Sequence, residues 1–387
     1  MDQPESTTLV SVFSQLPDPR KPRGKRHAWS FLWTLICTAL LCEQRTPHAI
    51  AHWAQLHAHD LVARLQPARP QLPSEATFRR ALRRLDRTEL EQHLAHFTHT
   101  LASCEPTPLG AAIAPVQVRG QAIDGKAVRG AGMHGPRPHL VSLVCHTTAR
   151  VLAQRAVATK RHESSAVAPL LAGRDLTGIV ITMDAGLTQR KLATQILEQN
   201  GQYLMVVKRN QRQLSDELAT FFQTPPLPCE EPWQEMQTLS KGHGRLETRH
   251  LSCTADLDEY LTWPGVRQVL RRECERIMVK TGVVSRSVTY GMTSLARHEV
   301  TVAQMEGLWR GHWTIENRVH YVRDVTFGED AGQAWTGSTP QVLAALRNVV
   351  LTLIRRAGWT NIADALRTYH ASIQEALQLL GAIPARL

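Results

Sequence analysis

The chain reads as an α/β protein: a mixed five-stranded sheet, interrupted by a β-rich insertion and preceded by a helical unit. Three observations carry that reading. Between residues 117 and 208, short apolar runs rich in Val and Ile alternate with helix-like stretches. Before them, the first hundred or so residues carry helical patterns, and the Pro-bearing segment EPTPLGAAIAP separates the two regions. Beyond residue 222 the alternation stops at Pro225, Pro226 and Pro228, and extended pieces follow one another. The predicted units are 1–110, then 111–221 continued by 299–387, with 222–298 inserted.

In the first unit a basic arm, DPRKPRGKRH, leads into the uncharged run from Ala28 to Cys42. That run has 15 residues, short of the roughly 20 needed to cross a bilayer, so it predicts a buried helix. A second helical stretch covers Pro47 to Leu65, and PARPQLPS separates it from a third. There Ser74 is placed to cap, Glu75 favours the first turn, and Phe78, Leu82 and Leu85 recur at helical spacing. Arg79, Arg80, Arg83 and Arg84 flank that apolar stripe and suit either a DNA groove or a solvated face. The arm residues Arg20, Lys21, Arg23, Lys25 and Arg26 carry the same two readings.

In the second unit strands are predicted near 117–124, 140–147, 151–158, 178–184 and 203–208, with helices over 164–171 and 188–199. LVSLVCH and VLAQRAVA, joined by TTAR, form a hairpin pattern. Three leading strands, a helix and two helix-separated strands match the ribonuclease-H-like order, in which the first and fourth strands end near one another. In the insertion, WQEMQTLSK, RLETRHLSC, VRQVLRREC and RIMVKT are the strand candidates. Helical pattern returns near Thr301, and LAALRNVVLTLIRRAG and ADALRTYHASIQEALQLLG read as packing helices.

The formal charge of +11 and a pI near 9.7 favour an anionic partner, nucleic acid first. Seven scattered cysteines without a C-x-x-C pair argue against a disulfide framework or zinc finger and for a reducing compartment. MDQPESTT lacks the charged and apolar regions of a secretory leader, so secretion is not expected.

Asp124 ends the first predicted strand, Asp184 ends the apolar GIVITM strand, and Glu316 lies in the helix-like RGHWTIENRVHYVRD. Singly, each has an ordinary explanation: an Asp-Gly turn, a helix cap, a solvated helix residue. Together, the strand order brings the two aspartates to neighbouring strand ends. Gathered carboxylates repel unless a cation compensates, and oxygen ligands suit Mg²⁺. Two such ions can clamp the attacking and leaving oxygens of a phosphodiester displacement.

AIDGKAVRG, ITMDAGLTQ, YLMVVKRNQ and HWTIEN…HYVRDVTFGEDA, with DPRKPRGKRH and PSEATFRRALRRLD, resemble the DDE transposases of bacterial insertion sequences. The branch is the one with the H-repeat-associated proteins, and the resemblance covers nearly the whole chain. It implies a catalytic and metal-binding triad of Asp124, Asp184 and Glu316, holding two Mg²⁺ ions for which Mn²⁺ can substitute. It implies cleavage at the ends of an element and attack of the freed 3′-OH on target DNA. The implied partners are double-stranded DNA, as terminal inverted repeats and target, and further copies of the chain in a dimer or larger assembly. The implied location is the bacterial cytoplasm, on the nucleoid and not in a membrane.

The chain also departs from the pattern. Gly186 and Leu187 stand where the family usually has Leu-His. Against the tyrosine–arginine–glutamate–lysine signature of neighbouring branches, Trp309, His312, Glu316 and Arg323 align, and only the glutamate matches. At seven residues from Glu316, an α-helical Arg323 returns to the same face, where it could hold a phosphate. His312 and His320, each four residues from Glu316, either orient the carboxylate, touch DNA or pack. Lys126, Arg129, Lys208, Arg209 and Asn210 follow strand ends and are candidates for the rim where phosphates pass. Lys241, His243, Arg245 and Arg249 form a basic segment suited to a transposon end or to an ordinary exposed hairpin. Asp324, Glu329 and Asp330 are spare carboxylates. Two rival functions remain: a nuclease that cuts without joining, and a retired transposase kept as a DNA-binding regulator.

Overall fold

The computed structural model describes residues 8–22, 25–103, 118–131, 137–224, 232–332 and 337–384. Six helices come first: α1 (Leu9–Gln15), α2 (Trp29–Leu41), α3 (Pro47–Leu56), α4 (Ala58–Leu65), α5 (Glu75–Arg84) and α6 (Arg87–Ser103). The uncharged run predicted as a buried helix is α2, with Leu32, Trp33, Leu35 and Ile36 fully buried. It is enclosed on all sides by protein, which explains an apolar surface all round the helix. Among the described residues no helix is long and apolar enough to cross a membrane. Pro47 to Leu65 is two helices, α3 and α4, hinged at His57. Ser74 stands at the start of α5 without a side-chain cap to the helix backbone, its hydroxyl instead meeting that of Thr77 at 3.2 Å.

The sheet is β1 (Arg119–Ala127), β2 (His139–Cys145), β3 (Val151–Val157), then α7 (Glu163–Leu171), β4 (Ile179–Met183), α8 (Arg190–Glu198), β5 (Gln202–Val207) and α9 (Arg212–Gln223). Strands β1, β2 and β3 form an antiparallel meander, while β1, β4 and β5 run parallel. This is the ribonuclease-H-like order expected from sequence. The insertion then supplies β6 (Gln234–Gly242), β7 (Arg245–Thr254), β8 (Gln268–Met278) and β9 (Val284–Thr293).

One expectation about the insertion is corrected. VRQVLRREC and the start of RIMVKT are one strand, β8, and the fourth strand is β9, whose residues were not singled out. The insertion extends the five-stranded sheet. Strand β9 pairs antiparallel with β5, so all nine form one sheet in the order β3-β2-β1-β4-β5-β9-β8-β7-β6. Pairing covers the otherwise open edge of β5, a backbone saturation that no residue pattern announces.

After the insertion come α10 (Val302–Gly311), two π-helical stretches at Ile315–His320 and Val322–Thr326, then α11 (Thr339–Arg356), α12 (Ile362–Ala371) and α13 (Ile373–Leu379). The segment read as one helix, ADALRTYHASIQEALQLLG, breaks at Ser372, whose hydroxyl caps α13. One face of the sheet packs on α7, α8 and α9. The other packs on α10, the π-helical stretches and α11, and there the core of the N-terminal helices merges with that of α11, α12 and α13.

Candidate active site

Strands β1 and β4 lie side by side, with Ala122 beside Thr182 and Ile123 beside Met183. One step further along the same register come Asp124 and Asp184, so the parallel pairing alone brings the two carboxylates to adjacent positions on one face. Asp124 is not at the strand end: β1 continues to Ala127. The Asp-Gly pair is therefore no turn. A methyl group on Gly125 would overlap the Glu163 carboxylate and the His139 imidazole, which are hydrogen-bonded to each other beneath it. The glycine is where the sheet admits that buried pair.

Asp184 leaves β4 into a tightly tied loop. Its Oδ1 accepts the N–H groups of Gly186 and Leu187 at 3.0 and 3.2 Å, and the Thr188 hydroxyl meets the carbonyls of Asp184 and Val206 at 3.0 and 2.6 Å. Asn210 donates to the Ala185 carbonyl at 2.7 Å, so this predicted rim residue fastens the loop to the end of β5. Where the family pattern has Leu-His, Gly186 and Leu187 thus hold the aspartate through backbone alone.

Glu316 is exposed on the first π-helical stretch. Each π-turn takes in about one residue more than an α-turn, so seven residues no longer return to the same face. Arg323 is accordingly fully buried, not beside Glu316. It makes a two-pronged pair with Glu329 at 3.1 and 2.7 Å, and Arg347 approaches the same carboxylate at 3.4 Å. A phosphate-binding role for Arg323 is overturned by that burial. Glu329, a spare carboxylate by sequence, is the buried counter-ion.

Of the readings open for the two histidines, neither is seen hydrogen-bonded to Glu316. His320 is buried with Nδ1 at 3.7 Å from Asp124 Oδ2, which removes it from contact with DNA. Burial holds its pKa well below the ordinary 6.5. His312 instead places Nδ1 at 3.1 Å from the Thr182 hydroxyl, and His146 places Nε2 at 2.9 Å from the same oxygen. Burial pushes His146 down to about 3, which keeps its ring neutral, and lowers His312 as well. His146 carried no sequence signal of its own. Its ring fills the space left by Gly120 and Gly311, where a methyl on either would overlap it. This knot ties the start of the Glu316 helix to the strand that delivers Asp184.

A cavity of about 280 Å³ opens over the ends of β4 and β5, lined by Asp184, Glu316, His312, Lys208, Arg272 and Arg276. Arg272 and Arg276, from β8, carry no sequence signal for this site; they are wall residues because the insertion joins the sheet. Lys208 is on the cavity wall, and Arg209 is exposed next to it. Lys126 is not a rim residue: it is buried and paired with Asp324, with Glu329 at 4.0 Å. Arg129 is exposed, and its backbone N–H is held by Asp330 at 3.0 Å.

Farther away, Arg79, Arg80, Arg83 and Arg84 are all exposed on α5. In the arm, Lys21 and Arg26 are exposed, and Arg23 lies outside the described residues. Arg20 folds back onto Asp18 and over the Trp29 ring, 4.9 Å from its centroid, and Lys25 pairs with Asp18 at 3.2 Å. Those contacts give Arg20 a packing role. Lys241, His243 and Arg245 are exposed around the β6–β7 turn, where His243 and Gly244 both have positive φ. Arg249 is turned inward onto Glu247 and Ser240.

Burial first, then the charges of Asp184, Glu316 and Glu163, push the Asp124 carboxyl up to about 7. As arranged, no three His, Cys, Asp or Glu side chains among the described residues stand close enough to hold a metal ion. The donor set nevertheless fits a hard cation in kind. All three groups offer carboxylate oxygen, their charges press on one another, and Asp184 and Glu316 have no ion-pair partner among the described residues.

A family model described as "Transposase DDE domain" matches residues 116–352, and one described as "DDE_Tnp_1-associated" matches residues 10–98. The "Putative transposase YncI" of Escherichia coli O157:H7 is 25% identical over 366 residues, 90% of this chain and 87% of that protein. An "Uncharacterized protein in dhlA 3'region" of Xanthobacter autotrophicus is 30% identical over 271 residues, 68% of this chain and 87% of that one. The cryo-EM structure of a piggyBac transposase synaptic complex with hairpin DNA superposes at a TM-score of 0.41 with 9% identity, over 98% of this chain and 83% of that chain. That likeness is too loose to argue from.

Proposed function

The chain belongs to the transposase DDE domain family, and from that premise we propose that it cleaves DNA at the ends of an insertion sequence and joins the freed 3′-OH to target DNA. The observation that supports this most is the placement of Asp124 and Asp184 on adjacent parallel strands, on the face covered by the helix carrying Glu316. Asp124, Asp184 and Glu316 would hold two Mg²⁺ ions, or Mn²⁺ in their place, which when bound activate a water and stabilise the leaving 3′ oxygen.

The protein's own residues do the positioning. The N–H groups of Gly186 and Leu187 fix Asp184 through Oδ1 alone. The His146–Thr182–His312 knot fixes the approach of the Glu316 helix to β4. Lys208, Arg272 and Arg276 around the cavity offset phosphate charge near the carboxylates. The exposed arginines of α5, with Lys21, Arg26 and the Lys241–Arg245 turn, supply the wider duplex contacts. Two or more copies pair the two element ends.

The test is a strand-transfer assay on DNA carrying the element's terminal repeats. Wild-type protein is expected to cleave and join; cleavage without joining means a nuclease, and binding alone means a regulator. Asp184→Asn is expected to abolish cleavage while leaving DNA affinity near wild type, because it removes a metal ligand and none of the basic contacts. Cleavage that persists in this variant contradicts the assignment.

A further inference from the structure

Next to the carboxylate cleft lies a second cavity, of about 360 Å³, walled by Arg245, Arg249, Arg272, Arg276, Arg310 and Trp313. It shares Arg272, Arg276 and Trp313 with the cleft, so the two adjoin across these side chains. Strands β7 and β8 supply four of its arginines and α10 supplies the fifth.

The arginines are held in place from behind. Glu247, buried on β7, accepts Arg245 at 2.7 Å, Arg276 at 3.1 Å and Arg249 as well. Buried Glu306 takes Arg272 in a two-pronged pair at 3.0 and 2.9 Å. Among the described residues that line the pocket or pair with its arginines from behind, five guanidinium groups meet these two carboxylates, an excess of three positive charges. Arg310 is exposed and has no ion-pair partner among the described residues. Guanidinium groups gathered without sufficient counter-charge repel, and rigidly held ones match a phosphate in geometry as well as charge. A protein has little reason to hold such an excess in a pocket unless an anion enters it.

We propose that this pocket seats a backbone phosphate of the DNA strand that runs out of the Asp184–Glu316 cleft, with Glu247 and Glu306 pre-setting the arginines and Arg310 closing on the phosphate. The inference rests on the DNA-processing function proposed above. A cavity of this size takes a phosphodiester and its sugar but not the width of a duplex. The strand therefore enters singly, or a duplex lies across the mouth and offers one phosphate.

The test measures binding, not catalysis. Fluorescence anisotropy is recorded without divalent metal, over a series of salt concentrations, for a short labelled duplex of arbitrary sequence and for an oligothymidylate of equal length. Arg310→Ala is expected to reduce the slope of log affinity against log salt by about 0.9 on the duplex or about 0.7 on the single strand. Arg367→Ala, an exposed arginine on α12 paired with Asp364, serves as the control and should change neither slope. A loss confined to oligothymidylate shows that the strand enters singly, and a loss on the duplex shows that it lies across the mouth. An unchanged slope on both probes, or an equal loss in Arg367→Ala, overturns the proposal. Wild-type protein that binds neither probe overturns the DNA-processing function itself, and the phosphate seat with it.

Discussion

Replacing Asp124 by Asn should stabilise the metal-free protein, and most strongly at high pH. The carboxyl is pushed from its ordinary 3.8 up to about 7, by burial first and then by the neighbouring carboxylates. For an acid whose folded pKa is raised, the folded state keeps a proton that the unfolded chain has released, so stability falls as pH climbs from the lower value through the higher. The rise from 3.8 to about 7 corresponds to roughly 4 kcal/mol at pH 8. Residual solvent contact of the side chain screens the interaction, and about 2 kcal/mol is the gain expected for Asp124→Asn. By pH 5 about two-thirds of that gain should have disappeared. The assay is urea unfolding of both proteins at pH 8 and pH 5 with a chelator present. An equal change at the two pH values, or a loss at pH 8, would falsify the account of strained carboxylates. Added Mg²⁺ should then raise the stability of wild type and not of the variant.

Glu329→Gln leaves Arg323 and Arg347 buried without their carboxylate, and a loss of about 3 kcal/mol or more is expected in unfolding experiments. Asp364→Asn, which breaks the exposed pair with Arg367, should cost no more than about 0.5 kcal/mol; similar losses for the two would refute the role given to Glu329. Gly311→Ala pushes a methyl into the His146 ring and should cost about 1 to 3 kcal/mol, much of which His146→Ala in the same chain should restore. Additive losses in the double variant would dissolve the knot. Arg79→Ala combined with Arg83→Ala should weaken DNA binding and lower the salt slope by at most about two, and a slope equal to wild type removes α5 from the interface.

Most of the local elements could be read from residue order because their causes are local. The apolar run that became α2, the strand patterns around Asp124 and Asp184, and the return of helix at Thr301 all follow from periodicity over a few residues. The neighbouring placement of Asp124 and Asp184 was also accessible, since strand order alone makes β1 and β4 parallel partners. The failures have a common source in contacts between distant segments. α-Helical spacing places Arg323 on the surface beside Glu316, whereas the π-turns that bury it depend on what the helix packs against. Lys126 looked like a rim lysine until Asp324, almost two hundred positions away, was folded onto it. Gly125 resembled a turn signal, although it makes room for the Glu163–His139 pair.

Residue order by itself determined which groups carry chemistry: two strand-borne aspartates, a helical glutamate and a surplus of arginine, since these depend on composition and short-range pattern. Tertiary structure decided which of those groups face one another. It joined the insertion to the edge of β5, which brings Arg272 and Arg276 to the cleft, and it seated His146 between two glycines remote in sequence. The physical reason is that burial, pairing and charge compensation are properties of surroundings, and surroundings exist only once the chain has closed on itself.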